Sequence, residues 1–231
     1  MTLQPAGNRG HTGIVMNRKS KTILMLPLLA STLLAQNPAK QAILMAMGAN
    51  GRQVVAYQWK QKITVIRKGT PLEPVIEEIR FDPTGQPRRT TLVQPREEKM
   101  GPLRAKKKAE IKETIQEVMQ LARVYASPQK LKEAIQKGEV WDGPNTLRVQ
   151  ARGLIHPMDD VTLTINKSSF LATRLDCKTQ HEGDPIAISI DYDQLPNGPS
   201  IMARMTVQLP TDSIVVNVTS FDFQRLVATL N

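Results

Sequence analysis

Between residues 146 and 223 the chain repeats one device: an alternating apolar–polar run, a short turn, and another alternating run. The runs cover 147–155, 161–165, 171–179, 186–192, 201–209 and 214–223. Alternation is cleanest at Val161/Leu163/Ile165, Ile186/Ile188/Ile190/Tyr192, Ala203/Met205/Val207/Leu209 and Ile214/Val216/Val218. A period of two places one face in the core and the other in water, as antiparallel sheets do. The separators are rich in turn formers: His156-Pro157, Asn166-Lys167-Ser168, Glu182-Gly183-Asp184, Pro196-Asn197-Gly198-Pro199 and Pro210-Thr211-Asp212. They are too short for parallel crossovers, so an antiparallel meander is predicted.

The first half adds three more strands, at 54–67, 75–81 and 88–93, the last two joined by the turn Asp82-Pro83-Thr84-Gly85. In the first of them Tyr57, Trp59, Ile63 and Val65 share a face, with Gln61 as the polar exception. Three helices are predicted. One covers 36–51, with Asn37 as N-cap, Pro38 in the first turn, and Gly48 and Asn50-Gly51 as the stop. The second covers 103–126, with Ile111, Ile115, Val118, Met119, Ala122 and Tyr125 on one stripe. The third opens at Ser127-Pro128 and stops at Gly138. The pattern predicts an α+β fold: a curved antiparallel sheet, half-open and barrel-like, packed on two or three helices. Aromatic residues make up only 4% of the chain, so the core is aliphatic, and one cysteine, Cys177, excludes an intramolecular disulfide.

Residues 16–35, MNRKSKTILMLPLLASTLLA, read as an export signal. Arg18, Lys19 and Lys21 precede an apolar run too short to span a bilayer, and Ala35 offers a cleavage point. Met16 is a candidate start. The expected organisation is an extension and signal over 1–35 and a single domain over 36–231. Cleavage after Ala35 leaves an exported, periplasmic-type protein with no permanent transmembrane helix; an uncut segment would serve as an anchor. The full chain carries +10, but four of its 31 basic residues and none of its 21 acidic ones fall within 1–35, so the remainder carries about +6. Export argues against nucleic acid as the partner of this basic chain. Anionic lipid or acidic surface groups fit better.

Few residues point to chemistry. Cys177 reads as a core position in phase with Leu171, Thr173 and Leu175, against the alternative of a nucleophile with His181 nearby. His156 and His181 lack metal-ligand spacing, so no metal or cofactor is predicted. Asp159-Asp160 and Asp191/Asp193 are paired acids, read as solvated and close to turns. No nucleophile elbow or phosphate loop occurs, so no catalytic residue is assigned and an enzyme is not expected. The one charged feature of note is the basic segment 88–112. Its candidate contacts to an anionic surface are Arg88, Arg89, Arg96, Arg104, Lys106, Lys107, Lys108 and Lys112. The lysines sit near a helix N-terminus, where cations oppose the macrodipole, which favours a binding role over a stabilising one.

The stretch 161–210, VTLTINKSSFLATRLDCKTQHEGDPIAISIDYDQLPNGPSIMARMTVQLP, resembles the outer-membrane lipoprotein carriers (LolA-like) and related lipoprotein-sorting proteins. A strand and turn lead to a strand carrying Arg174 and Lys178, then a glycine turn, an isoleucine-rich strand, an L-P-N-G turn and a further strand. Exported bacterial proteins of unknown function share this layout, including the preceding lysine-rich helix. The resemblance implies a curved sheet around helices, with an apolar concave surface that holds acyl chains. The expected function is a non-enzymatic envelope protein that binds an apolar ligand, such as a lipid or acyl chain, or an envelope protein partner on that surface. The alternative is an interaction module docking to an anionic surface through 88–112.

Overall fold

The strands that alternate in the sequence join one antiparallel sheet in the computed structural model, which describes residues 37–95 and 101–226. The export segment, its expected cut after Ala35, and Arg96 lie outside the described residues. In chain order the elements are α1 (Pro38–Val54), β1 (Tyr57–Arg67), β2 (Thr70–Pro71), β3 (Val75–Phe81), β4 (Pro87–Val93), α2 (Pro102–Tyr125), α3 (Pro128–Lys137), β5 (Glu139–Asp142), β6 (Thr146–Arg152), β7 (Asp160–Asn166), β8 (Ala172–His181), β9 (Asp184–Gln194), β10 (Ser200–Leu209) and β11 (Ile214–Arg225). The sheet runs β4-β3-β1-β11-β10-β9-β8-β7-β6-β5, with β2 pairing β1 beside β3. It is open and is not closed into a barrel.

This order has a simple cause. β5 to β11 form an uninterrupted meander, and so do β1, β3 and β4; the two join where β1 pairs with β11. The outermost strands are therefore β4 and β5, which are consecutive in the chain and separated only by α2 and α3. Ten strands at about 4.8 Å spacing give a flat width of roughly 43 Å. The helices bridge that width on one face. α2 alone, with 24 residues, is about 36 Å long at 1.5 Å per residue. Its last two turns touch both halves of the sheet. Arg123 reaches Glu77 on β3, while Tyr125 reaches Thr179 on β8. Those strands lie five spacings apart, roughly 24 Å if flat, so the sheet curves around α2.

The main core fills this concave side. Ile43 of α1, Val118, Met119, Ala122 and Tyr125 of α2, and Leu131, Ala134 and Ile135 of α3 pack on Leu147, Val149, Leu163, Leu175, Ile188, Ile190, Val207 and Val216. The caps follow the sequence. Asn37 Oδ1 accepts from Ala39 N at 3.0 Å, and Ser127 Oγ accepts from Lys130 N at 3.3 Å. A second apolar cluster joins Trp59, Ile79 and Ile201 with Val54, Tyr57, Phe81, Leu195 and Phe223. It contains no residue of α2 or α3.

Several boundaries differ from the pattern. α1 does not stop at Gly48 or Asn50-Gly51 but continues to Val54, so β1 begins at Tyr57. The Asn50 amide explains this. It donates to Ser200 O at 2.8 Å and accepts from Ser200 N at 2.7 Å, so the turn former bonds to the start of β10 instead of ending its helix. The run expected over 147–155 ends as a strand at Arg152, where Gly153 adopts φ +62°. In β8 the register shifts between Thr164 and Ile165 of β7, and Ala172 pairs with Ile165. This bulge puts Ala172 in the core and Thr173 outside, which breaks the phase read from Leu171 and Thr173, while Leu175 and Cys177 keep it. β2 and β5 have too few residues to show a period.

Candidate functional site

The structure describes seven of the eight predicted basic residues, all but Arg96, and divides them. Arg88 stays at its hairpin, donating Nε to Asp82 Oδ2 at 2.9 Å. That carboxyl lies at about 2, lowered chiefly by Thr84 and the backbone N–H of Gln86. Arg104, Lys106, Lys107, Lys108 and Lys112 are exposed, as is every residue from 101 to 110 at the start of α2. Leu103 is 82% exposed. This half of α2 overhangs the end of the sheet that bears the β1–β2 and β10–β11 turns. There Lys107, Arg67 and Lys68 line a groove of about 410 Å³ together with Glu110, Ile111 and Asp212. Arg89 stands apart from all of these.

Arg89 lies on the concave side at β4, paired in register with Ile79 of β3, which is in turn paired with Trp59 of β1. Its Nη1 donates to Gln61 Oε1 at 2.8 Å and to Glu77 Oε2 at 3.1 Å. Arg123 of α2 reaches the same Glu77 Oε2 at 3.5 Å. Gln61, only 2% exposed, donates onward to Ser220 Oγ of β11 at 3.2 Å. One chain of contacts thus crosses β11, β1, β4, β3 and α2. Burial lowers the Arg123 pKa, and the neighbouring Arg89 charge lowers it further, against the pull of Glu77. The sequence marked Gln61 as an exception to its face and Arg89 as basic. Glu77 and Arg123 carried no signal, because only the fold brings them together.

The paired acids fare differently. Asp159 is not solvated but 2% exposed, a correction to the sequence reading. Its carboxylate accepts from Tyr125 Oη at 2.6 Å, Thr179 Oγ1 at 2.7 Å, Ile155 N at 2.7 Å and His156 N at 2.9 Å. Burial alone would raise its pKa; these four donors outweigh that and lower it. Burial and the Asp159 contact raise the Tyr125 phenol. Asp160 accepts from Gln150 Nε2 at 2.9 Å. Asp191, on the opposite face of the sheet, pairs with Arg174 Nη1 at 2.9 Å and Arg204 Nε at 3.4 Å, while Asp193 is exposed.

Cys177 is 1% exposed and its thiol is pushed up to about 12, first by burial and then by the Asp159 charge. A thiol held there does not form the thiolate a nucleophile needs. His181 Nε2 lies 3.0 Å from Glu117 Oε2 of α2, which ties the β8–β9 turn to the helix. Among the described residues, no group of His, Cys, Asp and Glu side chains is arranged to hold a metal. No helix among them is long and apolar enough to cross a membrane.

Fold and geometry define an open, helix-filled antiparallel sheet with a charged, half-buried cluster on its β1–β3–β4 side. A scan against protein-family models and a search of curated proteins find no match. Among solved structures the chain is similar to a DUF1329 family protein from Desulfovibrio piger, at 10% identity over 84% of this chain and 95% of that one, with a TM-score of 0.42. It is also similar to a LolA superfamily protein from Nitrosomonas europaea, at 12% identity over 80% and 93% with a TM-score of 0.36. A third is an outer membrane lipoprotein-sorting protein domain from Vibrio parahaemolyticus, at 7% identity over 82% and 94% with a TM-score of 0.39. Two of these carry the names that the 161–210 pattern resembles. The likeness is one of outline and carries no functional argument.

Proposed function

We propose that this is an exported, non-catalytic envelope protein that binds an acyl-bearing ligand on the concave side of its sheet, at the β1–β3–β4 wing. One observation carries the reading. The helices fill the concave side over β6 to β11, whereas the second apolar cluster on the wing takes only Val54 of α1 from the helices and no residue of α2 or α3. The outermost strand, β4, is exposed along its whole length, with Leu92 and Val93 about half exposed. Apolar surface at an open sheet edge favours a partner that removes it from water. The basic-then-apolar segment 16–35 supports export, and the carrier-like layout of 161–210 supports an acyl ligand. The test is uptake of a fluorescent fatty acid by the purified protein, with native mass spectrometry of material isolated from cells. Saturable uptake that Trp59→Ala weakens is expected. Absence of both uptake and co-purifying lipid overturns the reading.

A second reading has its own observation. None of Arg104, Lys106, Lys107, Lys108 and Lys112 forms an ion pair among the described residues, and Arg67 and Lys68 stand beside Lys107 at the same end of the sheet. An unpaired basic surface of this kind binds anionic lipid at about 1 kcal/mol per residue near the surface. It would place the protein against a membrane while the wing handles the ligand.

A further inference from the structure

Two guanidiniums share one carboxylate oxygen on the concave side. Arg89 Nη1 and Arg123 Nη2 both face Glu77 Oε2, at 3.1 and 3.5 Å. Although the backbone of β4 is exposed, the side chains are partly sheltered: 28% of Arg89, 29% of Arg123 and 16% of Glu77 is exposed. Sheltered charges are ordinarily matched by partners. Here two positive charges meet one negative, so one remains unmatched among the described residues. Gln61 cannot cancel it, because its Oε1 brings a dipole and no charge.

The donor count gives the same result. A guanidinium has five N–H donors. Arg89 uses one nitrogen, Nη1, and Arg123 uses one, Nη2, so the remaining N–H groups of both, open to solvent, are available to a ligand. Trp59 adds an independent observation. Its indole N–H is buried without an acceptor, and Trp59, Ile79 and Arg89 follow one another across β1, β3 and β4 in a single row. A buried donor without an acceptor is destabilising, and such groups call for an explanation.

We propose that Arg89 and Arg123, held by Glu77 and Gln61 beside Trp59, form an oxyanion site that takes the phosphate or carboxylate headgroup of an amphiphile. An oxyanion supplies the missing negative charge and several acceptor lone pairs at once, and guanidinium donors suit planar, paired recognition of such groups. Glu77 is the positioning residue: it draws α2 and β4 to a common point and keeps the two guanidiniums from separating. The site rests on the reading that the wing is the ligand side, since the apolar cluster of Trp59, Phe81 and Phe223 lies next to it.

The experiment titrates the full-length protein by calorimetry with dodecyl phosphate, dodecanol and inorganic phosphate, each below its aggregation limit. Dodecyl phosphate is expected to bind at least tenfold tighter than dodecanol. Arg89→Gln and Arg123→Gln should each weaken dodecyl phosphate at least fivefold and leave dodecanol unchanged, with partial recovery in Arg89→Lys. The indole N–H resonance of Trp59, assigned with Trp59→Phe, should shift with dodecyl phosphate and not with dodecanol. Circular dichroism and melting temperature establish that each variant is folded; Arg123→Gln, on the flank of α2, serves if the β4 variant is not. Equal binding of alcohol and phosphate, or folded arginine variants that bind as the wild type does, overturns the oxyanion site and leaves the wing reading intact. Arginine-dependent binding of inorganic phosphate as tight as that of dodecyl phosphate supports the site for a free anion and overturns the acyl reading. Failure of all three probes to bind overturns both.

Discussion

The Tyr125 hydroxyl donates to Asp159 Oδ2 at 2.6 Å, and this bond fastens the last turn of α2 to the turn that precedes β7. Tyr125 is 1% exposed, so no water replaces a lost partner. Hydrogen bonds to charged groups contribute about 1.5–3 kcal/mol. Tyr125→Phe should lower the unfolding free energy by about that amount in urea titration, with circular dichroism unchanged at zero denaturant. A loss under about 0.5 kcal/mol would show that the bond is ornamental.

Asp159 also sets a dependence on acid. Despite its burial, its four donors hold the folded pKa below the ordinary carboxylate range. The unfolded chain therefore takes up its proton first, at about pH 3.9. The stabilisation is fully present above that value and drains away as pH falls through the lower folded pKa. Wild type should lose stability steeply below about pH 4. Asp159→Asn should be less stable at pH 7 and show a flatter acid limb in melting experiments. Parallel limbs in the two proteins would remove Asp159 from the account.

The Cys177 thiol, buried and pushed up to about 12, should not react with a disulfide reagent in the folded protein at pH 8 and should react fully in denaturant. Rapid labelling of the folded protein would mean that β8 opens far more readily than its neighbours on the meander.

Two glycines should respond in opposite directions. A Cβ on Gly138 would stand 2.6 Å from Ala134 O and 2.7 Å from Gln150 O, backbone atoms that cannot swing aside, although its φ of −71° suits any residue. Gly138→Ala should cost about 1–3 kcal/mol through overpacking. Gly51, inside α1, has nothing within 4 Å of the added atom, so Gly51→Ala should gain about 0.5–1 kcal/mol in helix propensity. Both are read from thermal melts.

Reversing Lys106, Lys107 and Lys108 to Glu should leave the melting temperature nearly unchanged, since all three are exposed. Binding to vesicles containing anionic lipid should drop at least tenfold and fall with added salt in the wild type. Salt-insensitive, unchanged binding would eliminate docking through this helix.

The sheet was legible because alternation is a local property: Ile186, Ile188 and Ile190 declare their face without reference to any other strand. The interruptions were not. Ala172 enters the core only because β7 and β8 shift register, and Asn50 sits in mid-helix only because Ser200 bonds to it. Both depend on contacts distant in the chain. The site follows the same rule. Arg89 was visible as one charge in a basic run, but its separation from Arg88 and Lys107 reflects a strand alternation and a helix overhang. Arg123 has no mark of its own in the sequence, because only the curvature of the sheet brings Glu77 to it. Asp159, adjacent to a turn and followed by another acid, had every local mark of a solvated residue.

The seam between β1 and β11 has a consequence for how this chain reaches its fold. Tyr57 lies opposite Arg225 and Arg67 opposite Ile214, so the earliest strand finds its largest partner only in the latest. Until β11 exists, Ile63 and Val65 have no neighbour on that side, and the β1–β3–β4 group is a small separate sheet. Closing a loop of this length is slow compared with hairpin formation. A chain emerging N-terminus first therefore completes its meander before its first strands are secured. The wing that carries Arg89 and Trp59 is the last piece to be locked, and a loss of the 221–225 end of β11 would release it first.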